Sequence, residues 1–310
     1  MLARKVVLDC DPGHDDAIAI MLACASPEID LIAVTTVAGN VTLEHTTRNA
    51  LRVLDLIGRA DIPVAAGRDR PLLRDLSTAA VMHGESGLAG PLEVEPSRGP
   101  ADLTALELIE QVLVSEVEPV TLVATGPLTN IADVITQLPE IHSRIREIVI
   151  MGGAVELGNW TPAAEFNIWV DPDAAKIVFE SGIPLTMIGL EVTHKAWLTD
   201  EHAEQLRGSG RPGEFVAELL DHFVKFHQDR FGWPGAPIHD AVTIAHLIDP
   251  TLVTTLAMNV QIDTISSLCM GRTVADRWSV TGLPANVDVG LDIDRDRFVT
   301  LLLGRLSQLA

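Results

Sequence analysis

A chain of 310 residues with 47% apolar side chains can bury a substantial core, as one large α/β domain or two smaller ones. Its 43 acidic residues outnumber 22 basic ones, and the formal net charge of −21 argues against nucleic acid and anionic membrane as partners, since both require basic patches. Cys10, Cys24 and Cys269 have no CxxC spacing, so they read as reduced, mostly buried thiols of a cytoplasmic protein rather than as a disulfide framework.

Met1-Leu2-Ala3-Arg4-Lys5 runs straight into a strand with no apolar leader, and no segment approaches the ~18 uninterrupted apolar residues of a membrane span. Residues 4–10 form a short apolar, β-branched run suited to a buried parallel strand. Pro12-Gly13 ends it with a turn, and a helix follows over 14–25. Asp9, Asp11, Asp15 and Asp16 therefore crowd the strand's carboxyl end, where open α/β sheets place their ligands. Two carboxylates about 4 Å apart repel by roughly 4 kcal/mol at an effective dielectric of about 20. Such a cluster raises its pKa values or binds a cation. Only Lys5 and His14 lie nearby in sequence, which favours a metal over a side chain. Asp15 and Asp16 also fit a plainer role, complementing the dipole of the helix they open.

Further buried strands are predicted over 31–37, 62–66, 120–125, 145–151 and 185–188, alternating with helices near 43–58, 103–117, 127–138 and 171–182. The pattern implies one α/β domain over 1–310: an open, mostly parallel Rossmann-like sheet flanked by helices, with active-site loops at the strand carboxyl ends. Segments 67–100, 152–170 and 232–239 are rich in Gly, Pro and polar residues and too long for simple connections, so they read as functional loops. Helices follow near 199–207, 212–229, 239–248 and 295–308, whereas 251–290 reads as irregular strands.

The segment Asp9-Cys10-Asp11-Pro12-Gly13-His14-Asp15-Asp16-Ala17 closely resembles the N-terminal fingerprint of nucleoside hydrolases, calcium-dependent enzymes that cut the base from a nucleoside. Four more family-like segments occur in order: Thr36-Val37-Ala38-Gly39-Asn40, Thr125-Gly126-Pro127-Leu128-Thr129-Asn130, Gly158-Asn159-Trp160 through Ala164-Glu165-Phe166-Asn167, and Ile238-His239-Asp240-Ala241. The match spans residues 5 to about 250.

The resemblance implies a Ca²⁺ ion on Asp11, Asp16, Asp240 and the main-chain carbonyl of Thr125, a set of hard oxygen donors. It implies Asp11 as the base that activates a calcium-bound water, with Asp9 supporting the loop. Asn40, Asn159, Glu165 and Asn167 match ribose-binding positions, Asp15 is expected to accept from a ribose hydroxyl, and Met151 to pack on the sugar. His239 and His83 match histidines that contact or protonate the departing base, a role suited to an imidazole. Phe166, His227 and Phe231 are the further expected substrate contacts. Phe231 stands where some pyrimidine-preferring relatives place Tyr, in a chain with no tyrosine at all. Gln228 and Trp233 fall on the same edge, Trp233 fitting loop packing equally well. The expected substrate is a ribonucleoside of the inosine/uridine type, and the expected assembly a homodimer or homotetramer.

Plainer readings stand beside these. Asn40 and Asn159 each follow a glycine and suit ordinary turns, and Asp240 suits the start of a helix. Gly208 to Gly213 fits G-x-G-x-x-G but follows a helix and contains proline, so it reads as a linker. Two other functions compete: a metal-dependent phosphohydrolase with Asp9 as nucleophile, and a non-catalytic calcium-dependent nucleoside-binding protein.

Overall fold

The computed structural model describes residues 3–91 and 94–309. Leu92 and Glu93 of the first long loop, and Met1 and Leu2 of the N-terminal run, lie outside the described residues. The strands are β1 (Arg4–Cys10), β2 (Ile29–Thr36), β3 (Val64–Ala66), β4 (Val120–Ala124), β5 (Ile145–Met151), β6 (Leu185–Ile188), β7 (Trp197–Leu198), β8 (Ala236–Pro237), β9 (Val253–Met258), β10 (Val260–Ile262), β11 (Thr273–Ala275) and β12 (Val287–Ile293). The helices are α1 (His14–Ala25), α2 (Leu43–Leu56), α3 (Ala80–His83), α4 (Ala105–Ser115), α5 (Thr129–Gln137), α6 (Phe166–Val170), α7 (Pro172–Phe179), α8 (Leu190–Thr193), α9 (Asp200–Leu206), α10 (Arg211–Phe231), α11 (Ala241–Ile248) and α12 (Arg295–Leu306).

Eight strands form one sheet in the order β3-β2-β1-β4-β5-β6-β12-β9, parallel throughout except for β9, which runs antiparallel to β12. Alternation along β1 explains its place at the centre. Val6, Leu8 and Cys10 pack into the layer formed with α1, α2, α10, α11 and α12, while Val7 packs with α4, α5 and α7 on the opposite face. Strand order reverses between β1 and β4, so their carboxyl ends diverge and leave a crevice at the topological switch point.

The predicted segments thus occupy their expected places, with end shifts of a few residues. Residues 251–290 are more regular than expected: β9 and β12 complete the main sheet, and β10 pairs with β11 as a separate ribbon. The four central residues of β9 face solvent, which erased the alternation that would have announced a strand. The long loops also carry the short helices α3 and α6, each too brief for a periodic signal. Of the three unpaired thiols only Cys10 is buried; Cys24 and Cys269 are partly exposed, at the end of α1 and in the β10–β11 connection, where the core no longer covers them. Among the described residues no helix is long and apolar enough to cross a membrane.

Candidate active site

At the β1–β4 crevice the chain gathers Asp9, Asp11, Asp15, Asp16 and Asp240, all buried. Asp11 is held by the Asn40 backbone N–H, which donates to Oδ2 at 2.6 Å. Two glycines make room for it: a Cβ on Gly39 would lie 2.1 Å from Asp11 Oδ2, and one on Gly126 would lie 2.8 Å from Oδ1. Those glycines belong to the two short segments that follow β2 and β4. Asp16 accepts from the Gly13 N–H at 3.0 Å, the Thr125 hydroxyl at 2.8 Å and the Asn40 side-chain amide at 3.2 Å. Oxygens of Asp15, Asp16 and Asp240 lie within 4.8 Å of one another. Asp240 precedes α11 but makes no side-chain capping bond, so helix initiation does not account for its carboxylate.

Asp9 points elsewhere. The Thr35 hydroxyl and the Asn130 amide donate to its Oδ1 at 2.6 and 2.7 Å, and its carboxylate does not line the cleft. A buried group tied to two scaffold side chains is not positioned to attack a substrate, which overturns the phosphohydrolase reading.

Above this floor opens a cavity of about 220 Å³. Its lining includes Asp15, Asp240, Asn40, Thr125, Met151, Asn159, Glu165, Phe166, Asn167, His83, His227, Phe231 and His239, so it brings together nearly every residue expected from the sequence. Asp11 and Asp16 lie just behind the lining. Several polar residues also support the backbone. Glu165 caps α6, accepting from the N–H groups of Asn167 and Ile168, and it accepts a third bond from Gly153. Asn159 Oδ1 accepts from the Phe166 N–H at 3.0 Å. The Asn167 amide donates to the carbonyls of Thr125 and Met151, at 2.8 and 3.1 Å.

The upper wall is aromatic. His227 Nδ1 donates to the Phe223 carbonyl at 2.8 Å, and the His227 ring lies 5.8 Å from that of Trp233. His83 Nδ1 lies 3.2 Å from the His14 backbone N–H and 3.1 Å from His14 Nδ1, so both contacts of this ring nitrogen are with His14. His14 is in turn fixed by its Nε2–H, which donates to the Ala89 carbonyl at 2.8 Å.

Electrostatically the two parts oppose each other. Burial raises the carboxyl pKa values on the floor, pushing Asp9 and Asp15 up to about 7 and Asp11 and Asp240 well above the usual range, with mutual repulsion adding to the shift. Burial lowers the imidazoles: His83 and His239 fall well below their ordinary value and His194 to about 4. No Lys or Arg lines the cleft among the described residues. Asp9 Oδ2 and Asp11 Oδ1 are buried without a hydrogen-bond partner. Asp9 belongs to the scaffold behind the site, and the orphaned Asp11 oxygen in a hard-oxygen cluster fits a divalent cation of the calcium or magnesium class, and does not fit a soft-ligand metal.

Sequence reasoning missed Met82, Phe223 and His194 in the lining, and took Trp160 only as part of a motif. Phe223 was legible, since 223, 227 and 231 repeat at i+4 along one face of α10. His194 carried no such signal, because α8 is a single turn. Gln228 falls away from the site; its amide donates to Asp200 at 3.3 Å.

A sequence profile of the family described as inosine-uridine preferring nucleoside hydrolase matches residues 6–300. Over 308 residues the chain is 54% identical to a pyrimidine-specific ribonucleoside hydrolase RihA of Citrobacter koseri and 53% identical to one of Photobacterium profundum, with 99% of both chains covered in each case. Among solved structures, a purine-preferring ribonucleoside hydrolase from Gardnerella vaginalis matches with a TM-score of 0.93 at 36% identity, and an inosine-guanosine nucleoside hydrolase with 0.88 at 27%. Both structural matches cover 99% of each chain.

Proposed function

The chain belongs to the inosine-uridine preferring nucleoside hydrolase family and hydrolyses the N-glycosidic bond of ribonucleosides, and from that premise we propose a calcium-dependent mechanism with Asp11 as general base and uridine as preferred substrate. The observation that carries it is the buried, uncompensated carboxylate cluster at the floor of a cleft whose wall is histidine and aromatic. Asp11, Asp16 and Asp240, with the Thr125 carbonyl, would hold the ion. When bound, calcium supplies positive charge that offsets the carboxylates and lowers the pKa of water.

The remaining steps belong to the chain's own groups. Asp11 takes a proton as the water oxygen bonds to C1′, while the C1′–N bond breaks and its electron pair leaves with the base. Positive charge then develops on the ribose, which suits a cleft that offers carboxylate and amide oxygens and, among the described residues, no lysine or arginine. Asp15, Asn40, Asn159, Glu165 and Asn167 bind ribose hydroxyls, and Met151 packs against the ring. His239, neutral through burial, donates a hydrogen bond to the base as it gains electrons, much as a neutral imidazole serves as an electrophile in other enzymes, and His83, likewise neutral, contacts the base beside it. The base takes its proton from solvent on release.

His227, Phe231 and Phe166 form the base and sugar walls. Preference for uridine over inosine is supported by the pyrimidine-specific relatives at 54 and 53% identity, which lie nearer than the purine-preferring structure at 36%. Residues 1–310 act as one nucleoside hydrolase-like domain, a reading supported by a single sheet that takes strands from Arg4 to Ile293. The three unpaired thiols support a cytoplasmic location. Assembly as a homodimer or homotetramer is supported by Ile265, Leu268, Trp278 and Val280, which are exposed near the β10–β11 ribbon. Light scattering at micromolar concentration tests that assembly, with a monomer as the contrary result.

The deciding experiment incubates the protein with uridine, inosine and a generic phosphomonoester, with and without a chelator. Ribose release that chelation abolishes and calcium restores is expected, with higher kcat/KM on uridine than on inosine. A binding protein without catalysis would release neither ribose nor phosphate.

A further inference from the structure

Thr193 is fully buried at the end of α8, and its hydroxyl lies 2.7 Å from His239 Nδ1. That is the only hydrogen-bond partner of the hydroxyl among the described residues. Backbone structure fixes the pair. The Thr193 N–H donates to the Gly189 carbonyl, the Ala196 N–H donates to the Thr193 carbonyl, and the Ile238 N–H donates to the Ala196 carbonyl at 2.8 Å. β7 then pairs antiparallel with β8, Trp197 opposite Pro237 and Leu198 opposite Ala236. The turn that carries Thr193 and the strand that leads into His239 are therefore joined through one short hydrogen-bonded ribbon.

The hydroxyl decides the histidine's tautomer. If His239 Nδ1 were protonated, it would donate to Thr193 Oγ1, and the buried hydroxyl proton would have no acceptor. A donor left unpaired in the interior is an arrangement that folded proteins avoid. If the hydroxyl donates instead, both groups are satisfied, Nδ1 is bare, and a neutral imidazole carries its proton on Nε2. Nε2 has no protein partner among the described residues, and His239 lines the cavity.

The geometry points to Thr193 as a positioning residue that locks His239 in the Nε2–H form, so that the ring offers the departing base a hydrogen-bond donor rather than an acceptor. This inference rests on the reading of His239 as a contact of the base. Thr193 touches no substrate; it acts through the imidazole. The wrong tautomer would oppose a lone pair to the electron-rich leaving group and remove the stabilisation it needs.

Two readouts test it. Long-range proton–nitrogen correlation spectra of histidine labelled with nitrogen-15 should show His239 as Nε2–H in the wild type. They should show a mixed or Nδ1–H form in Thr193→Val and a restored Nε2–H form in Thr193→Ser. In parallel, kcat on uridine is compared with kcat on p-nitrophenyl riboside, whose leaving group departs as a stable anion without help. The uridine-to-p-nitrophenyl ratio should fall roughly 10- to 100-fold in Thr193→Val, part of the about 10²–10⁴ available from acid–base assistance, and recover in Thr193→Ser. An Nδ1–H form in the wild type overturns the inference, as does a Val variant with unchanged tautomer and ratio. Should the Val variant fail to fold, the wild-type and Ser spectra decide the matter. The reading of His239 itself fails separately, if His239→Ala keeps the wild-type ratio whatever the spectra show.

Discussion

The floor and the wall of the cleft are built on different principles. Floor residues stand at strand ends of one sheet or at helix starts and are fixed by backbone N–H groups, hydroxyls and amides at 2.6–3.2 Å. Wall residues come from α3, α10, the end of α8 and the loops around β8, and meet chiefly through ring contacts at about 5–6 Å between centroids. Hydrogen-bonded carboxylates admit little change, because each unpaired charge costs more than the bond it loses. Ring contacts are broad and tolerant. In the proposed mechanism the hydrolytic chemistry therefore belongs to the rigid part and base choice to the adaptable part.

The largest test of that division is Asp11→Asn, which in the proposed mechanism removes the base and weakens the metal site. Turnover on uridine should fall by about 10²–10⁴ while circular dichroism shows an intact fold; near-normal turnover would end the assignment of Asp11. An intermediate effect concerns pH, where floor and wall carry opposite signs. Asp9 and Asp15 have folded pKa values near 7, raised above the unfolded value of 3.8. The chelated protein is therefore relieved of this penalty below about pH 4 and loses stability as pH rises through about 7. An ion held by the proposed calcium site would offset the negative charge that builds up beside it as these groups ionise, so the Tm gain on adding calcium should grow from about pH 5 to about pH 8. His14 and His194, lowered by burial to about 3 and about 4, behave oppositely. Their contribution is present above about pH 6.5 and lost as pH falls through the folded values, so the calcium-loaded protein should lose Tm on acidification. A Tm gain from calcium that is flat with pH would refute the floor's share of this account.

The smallest effect is expected at the wall. Phe231 lines the cleft yet is 49% exposed. Phe231→Tyr adds one hydroxyl at that rim, and should change the uridine-to-inosine ratio of kcat/KM by about 2- to 10-fold with little change in Tm. A change of several hundredfold would show that the rim, too, is rigidly specified.

The same contrast describes what could be read in advance. The strands β1, β5 and β6 and the helix α1 were legible to the residue because apolar side chains dominate them and their ends are marked by Pro, Gly and Asp. The carboxylates of the floor were legible because four of them share one turn. Met82 and His194 were not, since the first sits in, and the second directly follows, a helix of a single turn where no period can develop. The strand β9 escaped for a related reason, its exposed centre leaving no alternation to follow.

By itself, the sequence determined the alternation of strands and helices, the placement of the acidic turn at a strand's carboxyl end, and the need for a counter-charge there. Those are local properties, set by side-chain period, turn chemistry and Coulomb repulsion over a few bonds. Only the tertiary structure decided that Asp9 turns away to Thr35 and Asn130, that Gly39 and Gly126 clear space for Asp11, and that Asp240 closes the cluster from beyond β8. It alone placed the Thr193 hydroxyl against His239. Each of these depends on which chain segments meet across the sheet, and contact between distant segments is fixed by packing rather than by neighbours in sequence.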